Sequence, residues 1–491
     1  MRKGLVFLFL ALSVTLLGLL LWGKPALAAP LDPPARLERT LIENPSDYGQ
    51  YASMALHPTT GAPWISYWYS ATNELRLAKY VGVGGNCGNG SWSCSTVSTG
   101  ILPPRTPITG GMYSSLDFTP EGRPVIAFYG GADGLTIRVA RYTCPTIICS
   151  WTVTNVYDAY YFGGRGDLSL KVGSDGKARL AAYIPGFHLL WNSKYGKLVY
   201  MQERGDTSGT GCLTNTWQCD TVEEGSSDGG VGKHASLELY KYNPPGYIEP
   251  NIAYYDTQNG DLKYAYRPMV VGTGNCGPGG NSWTCQTIDA IGDVGQYAVL
   301  AKDLSLSDKR WQIAYYDATN QALKFAYNIA AGGNCGFGDA TGKWECFTIE
   351  GPAVGTQNGI GTMEGHRVFS VATYQGHTAI AYYDNDDSSF NGTLKWARDG
   401  YGVGDGGNCG PKKSLGIPPY VFHYSTWRCD TLDSGLYFSG GFPIFRDVGQ
   451  YPTIAYRSDG MARIAYYDVK SGLRYLQQNY AVYLPLTLKN Q

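Results

Sequence analysis

The chain of 491 residues predicts an all-β fold of seven four-stranded antiparallel sheets closed into a ring. Three observations predict it: a sevenfold repeat, strands that are apolar on both faces, and two chain ends that complete one another. The repeat is an apolar stretch ending in a tyrosine pair, a turn, then Leu-Lys-aromatic-Ala and a Trp/Cys segment. Four copies, at 252–256, 313–317, 380–384 and 464–468, all read Ile-Ala-Tyr-Tyr-Asp. Three are worn: Ile65-Ser66-Tyr67-Trp68, Ile126-Ala127-Phe128-Tyr129 and Leu180-Ala181-Ala182-Tyr183. The first aromatic slot is read at 67, 128, 183, 254, 315, 382 and 466, giving intervals of 61, 55, 71, 61, 67 and 84 residues. Such a period belongs to a supersecondary unit and not to a domain.

Each unit holds four β-type runs. In the fourth they are 234–240, 251–256, 262–266 and 283–289, separated by turn residues such as Asn259-Gly260, a strong hairpin signal. No stretch beyond the N-terminal segment shows helical periodicity. A lone antiparallel sheet wets one face and alternates apolar with polar. Here Ile252 and Tyr254 point one way while Ala253 and Tyr255 point the other, so both faces ask for cover. Sheets stacked around an axis supply it.

The ends decide for closure. The last repeat has three strands, 452–456, 463–468 and 473–477, and no Trp/Cys strand follows. Residues 39–43, Arg-Thr-Leu-Ile-Glu, match the closing strands at 286–289, 430–433 and 220–223, so the missing strand comes from the N-terminus. A composite sheet removes two exposed edges.

With these features the chain resembles the seven-bladed β-propeller superfamily over residues 36–480, and more distantly the sialidase-like and polysaccharide-lyase propellers. The resemblance implies a single domain of four-stranded antiparallel blades, with an N-terminal strand completing the last blade. It also implies that the innermost strand of each blade lines a central channel. The start of that strand, with the loop between the second and third strands, then forms the ligand-binding face.

The first 28 residues read as a secretion signal: Arg2 and Lys3, an apolar run over 5–22, and Ala26-Leu27-Ala28 as cleavage site. The run is also close to the length that spans a bilayer, so an uncleaved anchor is the alternative. Residues 481–491 form a separate tail, with a Leu-Pro-Leu stretch too short to cross lipid. The expected location is therefore secreted or cell-surface, with a monomer that keeps no stable membrane span after cleavage.

All 12 cysteines fall into six close pairs: Cys87 with Cys94, Cys144 with Cys149, Cys212 with Cys219, Cys276 with Cys285, Cys335 with Cys346, and Cys409 with Cys429. In an exported chain one short-range pair per repeat reads as disulfides. Spacings from 5 to 20 with no recurring histidine argue against zinc. Lys plus Arg number 39 and Asp plus Glu 40, so there is no basic field for nucleic acid. No cofactor is expected. Asp384, Asp386 and Asp387 make an acidic loop that is the one candidate for structural calcium.

The start of the innermost strand reads Gly-Gln-Tyr at 49–51, 295–297 and 449–451, which makes Gln50, Gln296, Gln450, Tyr51, Tyr297 and Tyr451 candidate ligand contacts. Repetition favours a scaffold role in which Gly permits close approach and Gln satisfies backbone. The departures carry more information: Arg165-Gly166-Asp167 in the third repeat, Gly232-Lys233-His234 in the fourth, Gly365-His366-Arg367 in the sixth. Arg165, Lys233 and Arg367 would offset a carboxylate or sulfate, Asp167 shares the slot, and His234 or His366 would move a proton. Solvated rim residues are the alternative. Arg165-Gly166-Asp167 also matches an adhesion tripeptide, which is too short to weigh.

The Asp closing each tyrosine pair reads as a turn cap. Trp92, Trp217, Trp283, Trp344 and Trp427, each two residues before a cysteine, read as packing. Ser174-Asp175-Gly176 and Ser458-Asp459-Gly460 lie between first and second strands, lack the Trp of sialidase boxes, and come without an arginine triad. Two functions follow. One is a binding protein that recognises a glycan or extracellular protein at the channel mouth. The other is a lyase or glycosidase acting on an acidic glycan through His234, His366, Arg367 and Lys233.

Overall fold

A computed structural model describes residues 36–99, 101–102, 106–107, 111–131, 135–144, 148–159, 168–189, 192–226, 229–242, 246–303, 310–351, 368–385, 392–417, 420–439 and 441–479. The signal, the tail, Arg165, Asp167, His366, Arg367, Asp386 and Asp387 lie outside them.

Residues 37–479 form one compact unit that is a seven-bladed β-propeller. Blade 1 runs Tyr48–Leu56, Pro63–Tyr69, Glu74–Tyr80 and Trp92–Ser98 from the inside outward. Blades 2 to 6 repeat the plan from innermost strands Met112–Phe118, Leu168–Val172, Val231–Lys241, Val294–Asp303 and Phe369–Tyr374. Blade 7 takes Val448–Tyr456, Ala462–Asp468 and Gly472–Asn479 from the C-terminal end, and its outermost strand is Arg36–Glu43. Each innermost strand packs on the next, and that of blade 7 packs on that of blade 1, so the ring closes. No α-helix occurs among the described residues.

The tyrosine repeat is an inter-blade bolt. Tyr254 donates to Glu223 at the end of the previous blade's outermost strand (2.5 Å), and Lys263 pairs with the same carboxylate. Tyr315 donates to Asp289 (2.7 Å), which Lys324 approaches at 2.5 Å. Tyr382 donates to Glu350, 2.5 Å from Lys395, and Tyr466 to Asp433 (2.7 Å). At the closure Tyr67 donates to Glu43, whose other oxygen takes Arg76 at 2.9 Å. Burial first, and then the adjoining carboxylate, push these five phenols well above their ordinary range, so they remain donors. Glu43 therefore does for blade 1 what Glu223 and Asp289 do within the chain.

The third blade corrects the repeat register. Leu168 pairs with Ala182, as Phe369 pairs with Tyr382, so Ala182 fills the first aromatic slot and Tyr183 the second. The cause is the worn sequence Ala181-Ala182-Tyr183, in which the surviving tyrosine is the second of the pair; it donates to Gly229 O at 2.9 Å.

All six expected disulfides are present. Cys87 is bonded to Cys94, Cys144 to Cys149, Cys212 to Cys219, Cys276 to Cys285, Cys335 to Cys346, and Cys409 to Cys429. Their Cα atoms stand 4.0 to 6.0 Å apart, and Cys87 and Cys276 lie opposite Trp92 and Trp283, each tryptophan two residues before the partner cysteine; no described cysteine is free. Cys94, Cys219, Cys285, Cys346 and Cys429 sit on the fourth strands, two residues after the tryptophans; in blades 1, 3, 4 and 5 the bridge ties the blade's outer edge to the loop that leads into it, and in blade 6 it ties the fourth strand to an added fifth. Those tryptophans are 0 to 3 % exposed, which bears out the packing role. The asparagine before the first cysteine mimics a strand: Asn275 Oδ1 accepts the N–H of Cys285 (2.7 Å) while its amide donates to Cys285 O (3.1 Å). Asn86 pairs in this way with Cys94, Asn334 with Cys346 and Asn408 with Cys429, which blunts the outer edge of the blade.

Three added hairpins, Ile101–Leu102 with Thr106–Pro107, Phe187–Leu189 with Asn192–Lys194, and Leu436–Ser439 with Phe442–Phe445, leave the regular plan. By topology all three sit at the end of the ring where innermost strands begin. Blade 6 also gains an outer strand, Cys409–Ile417.

Candidate functional site

The channel is built from five successive positions of the innermost strands. At the first, five of the seven blades need glycine: a Cβ on Gly295 would stand 2.6 Å from Leu262 Cα, and its φ is +105°. Gly49, Gly111, Gly232 and Gly449 meet Leu473, Leu75, Leu198 and Leu394 in the same way. This close approach lets one blade rest on the third strand of the one before.

The next residue braces the junction. Gln296 and Gln450 donate to Asp293 (3.0 Å) and Asp447 (2.6 Å), and these carboxylates accept Tyr255 and Tyr383, the second tyrosines of the preceding blades, at 2.6 and 2.9 Å. Gln50 reaches Tyr467 OH at 3.3 Å. The three glutamines thus serve blade contacts.

The third position carries the mouth. Tyr51, Tyr113, His234, Tyr297 and Tyr451 all adopt φ between 50° and 56°, a left-handed conformation rare for non-glycine residues. Their rings form two arcs. Tyr51 lies 4.5 Å from Tyr113 and 4.7 Å from Tyr451; His234 lies 4.3 Å from Tyr297. Tyr451 is 2 % exposed, whereas Tyr51, Tyr113 and His234 are half-buried. In blade 6 the equivalent residue, two before Ser370, is Val368; the residues read for this slot, 365–367, lie outside the described ones.

Of the three cations read for the mouth, Lys233 lies among the described residues and Arg165 and Arg367 lie outside them. The Lys233 ammonium lies over the Tyr183 ring of blade 3 (5.9 Å), while His234 packs against Tyr255 and Tyr297 on the other side.

The fifth position is a belt of hydroxyls that sequence reasoning missed. Ser53 accepts the N–H of Leu116 (3.1 Å), Ser115 that of Leu170 (3.0 Å), Ser169 that of Leu237 (2.9 Å) and Ser236 that of Leu300 (3.0 Å). Ser370 accepts from Ile454 and Thr453 from Met54, both at 3.1 Å, the last link closing blade 7 on blade 1. Blade 5 holds Val299 instead. The recurrence of Ser or Thr two residues after the Gly-x-Tyr run was the available signal.

Two residues further on, blades 2, 3 and 4 hold Asp117, Lys171 and Glu238, while blades 5, 6, 7 and 1 hold Ala301, Ala372, Ala455 and Ala55. Lys171 pairs with Glu238 at 2.5 Å. Asp117 accepts the N–H of Val172 (2.7 Å), and burial holds its carboxyl above the usual range. The belt, Lys171, Glu238, His234 and Tyr297 line one cavity of about 170 Å³.

Elsewhere, Asp256, Asp317 and Asp468 accept turn N–H groups at 2.9 to 3.3 Å, in keeping with caps. Asp384 faces Lys395 at 3.1 Å; Asp386 and Asp387, read with it for calcium, lie outside the described residues, among which no metal-holding group of side chains occurs. The hairpin at 436–445 exposes Phe438 (72 %) and Phe442 (75 %) on the mouth side.

The chain matches no family model and no curated protein. Among solved structures it is similar to AofleA from Arthrobotrys oligospora, at 10 % identity over 81 % of this chain and 92 % of that one, TM-score 0.43. It is similar to a leech intramolecular trans-sialidase complexed with 2,7-anhydro-Neu5Ac, at 12 % identity over 88 % of this chain and 68 % of that one, TM-score 0.38. A third is Drosophila Plexin A in complex with Semaphorin 1b, at 8 % identity over 90 % and 87 %, TM-score 0.32.

Proposed function

We propose that the protein is a secreted or cell-surface binding propeller that recognises a carbohydrate at the channel mouth. The observation that carries this is the pair of aromatic arcs, Tyr51 with Tyr113 and Tyr451, and His234 with Tyr297. They bring flat apolar rings with polar tips to the rim of a concave, hydroxyl-lined cavity. Such surfaces suit sugars, which offer C–H faces for stacking and hydroxyls for bonding. Six disulfides favour an oxidising compartment. The added hairpins on the same face offer further contact surface. A panel of biotinylated glycans on immobilised protein tests the reading. Retention should fall about tenfold in Tyr113→Ala and His234→Ala, the loss of one aromatic contact. Retention of no glycan, or retention indifferent to both changes, refutes it; capture of an unglycosylated protein at the same face would assign the mouth to protein ligands.

A further inference from the structure

We propose that the hairpin of Leu436–Ser439 with Phe442–Phe445 inserts into the headgroup layer of a bilayer that carries anionic lipids, and so docks the mouth side of the ring on a membrane surface. The proposal is independent of the glycan reading, and vesicles without sugar test it. It starts from composition. Residues 434–445 hold no charged side chain, and Leu436, Phe438, Phe442, Ile444 and Phe445 are 41 to 75 % exposed. A contiguous exposed apolar surface of this kind marks an interaction site. The ribbon is nonetheless built and held. Leu436 pairs with Phe445 and Phe438 with Pro443, the Arg446 N–H donates to Gly435 O at 2.9 Å, and the Arg446 guanidinium lies 4.1 Å from the Tyr437 ring.

Two observations select lipid as the occupant. The first is that the apolar residues lie on both faces of the ribbon. Side chains alternate along a strand, so Leu436, Phe438 and Phe445 share one face while Phe442 and Ile444 share the other. A globular partner covers one face of a two-stranded ribbon and leaves the other wet, whereas a bilayer surrounds it. Four residues per strand reach about 13 Å, enough for the depth of about 5 to 10 Å at which interfacial elements bury apolar groups. The outward N–H and C=O groups of the two strands keep the hairpin in that hydrated layer, since hydrocarbon offers them no partners.

The second is the sign of the charge at the base. Asp433 and Asp468 are 3 and 0 % exposed and turn to protein donors: Tyr466 and the Gly435 N–H for Asp433, Arg474 for Asp468. Asp447 likewise accepts Tyr383 and Gln450. The cations beside them reach the surface. Arg39, 47 % exposed, donates to Leu432 O at the start of the hairpin; Arg446 at its end donates to Ser471 at 2.8 Å, and Lys470 next to that serine is exposed. Carboxylates turned inward and cations turned outward around an apolar ribbon complement the phosphates of anionic headgroups.

Cosedimentation of the whole protein with vesicles, read beside a probe on the hairpin itself, tests the proposal. All 12 cysteines are in disulfides, so Phe438→Cys supplies one free thiol for an environment-sensitive fluorophore. Its emission should brighten and shift to the blue on vesicles of phosphatidylcholine mixed with phosphatidylserine. Binding to these should be about tenfold tighter than to phosphatidylcholine alone. Phe438→Ser combined with Phe442→Ser should weaken binding by about tenfold or more, and Lys470→Ala by about fivefold. Phe438→Leu combined with Phe442→Leu keeps the apolar surface, should bind as the parent does, and controls for folding. No cosedimentation, an unshifted label on vesicles that carry the protein, binding indifferent to the serine changes, or equal binding to both vesicle types would each overturn the proposal. So would a dimer formed without vesicles and abolished by the serine changes, since it would assign the hairpin to a second copy of the chain.

Discussion

If the ring is bolted shut by Glu43, then Glu43→Ala should open it at a cost the structure lets us bound. Glu43 accepts Tyr67 OH and takes Arg76 Nη2 at 2.9 Å, and the two charged side chains are 12 and 17 % exposed. Removing one partner of a buried ion pair costs about 3 to 5 kcal/mol, because the other is left desolvated. Arg76 keeps Glu74 at 3.5 Å, which offsets part of this, so about 2 to 3 kcal/mol is expected. Spread over an unfolding entropy of about 2.1 cal/mol/K per residue for the ring, that lowers the calorimetric Tm by only about 2 to 3 °C. A global melt alone is therefore a blunt assay. Hydrogen exchange is sharper: amides of Arg36–Glu43 and of its neighbour Gly472–Asn479 should lose protection before the other blades. Asp289→Ala is the internal comparison, since Asp289 bolts blades 4 and 5 through Tyr315 and Lys324. If Glu43→Ala leaves exchange in Arg36–Glu43 unchanged while Asp289→Ala loosens its own junction, the N-terminal strand does not carry closure and the reasoning fails.

Three further outcomes are expected. Gly295→Ala places a Cβ 2.6 Å from Leu262 Cα at φ +105°, and should cost about 2 kcal/mol or more in denaturant titration. Breaking the bond between Cys409 and Cys429, which are 20 residues apart, should cost about 3 kcal/mol by chain entropy, read as a lower denaturant midpoint for the protein carrying Cys409→Ser and Cys429→Ser. Glu249 is 3 % exposed and burial raises its pKa from 4.5 to about 7, while Tyr242 donates to it at 2.9 Å. The fold thus binds this proton more tightly than the unfolded chain does: the stability is fully present below pH 4.5 and is lost as pH rises through about 7. At about 1.36 kcal/mol per pH unit the loss is at most about 3 kcal/mol. Glu249→Gln should remove that slope from the stability–pH curve between 4.5 and about 7, and an unchanged slope would count against the buried acid.

The architecture was legible because packing writes it many times over. Tyr254, Tyr315, Tyr382 and Tyr466 recur at similar intervals, and the match between 39–43 and 286–289 placed the closing strand, since an ending such as Glu43 or Asp289 is needed wherever a tyrosine must be bolted. The cysteine pairs were legible for a local reason: Cys144 and Cys149, or Cys212 and Cys219, are too close in the chain to find other partners first. The register of blade 3 was not legible, because Ala182 removes the aromatic that marks the slot and leaves Tyr183 to be mistaken for it. The site was legible only in part. Gln50, Gln296 and Gln450 look like ligand contacts in a list of strand starts, yet each answers to a tyrosine or a carboxylate at a blade junction. The hydroxyl belt escaped for a different reason. A serine within an apolar strand looks unremarkable until the N–H it accepts, 63 residues away for Ser53 and Leu116, is brought beside it.

Internal repetition also separates what packing requires from what it permits. At the hydroxyl position six of seven blades agree, and the agreement has a cause in the N–H each oxygen accepts. Two residues further along, four blades hold alanine, which shows that a methyl group is enough to build the wall. Asp117, Lys171 and Glu238 exceed that need, and they stand on three adjacent blades instead of being scattered round the ring. Asp117 is desolvated there, which raises its carboxyl pKa, while Lys171 and Glu238 stay partly exposed and pair with one another. The polarity of this level of the channel strands is thus set toward blades 2 to 4. The cavity that His234 and Tyr297 line, on blades 4 and 5, is also lined by Lys171 and Glu238 on blades 3 and 4. The sevenfold frame thereby acquires a direction, which a symmetric ring lacks and which any oriented binding of a ligand with one polar end demands.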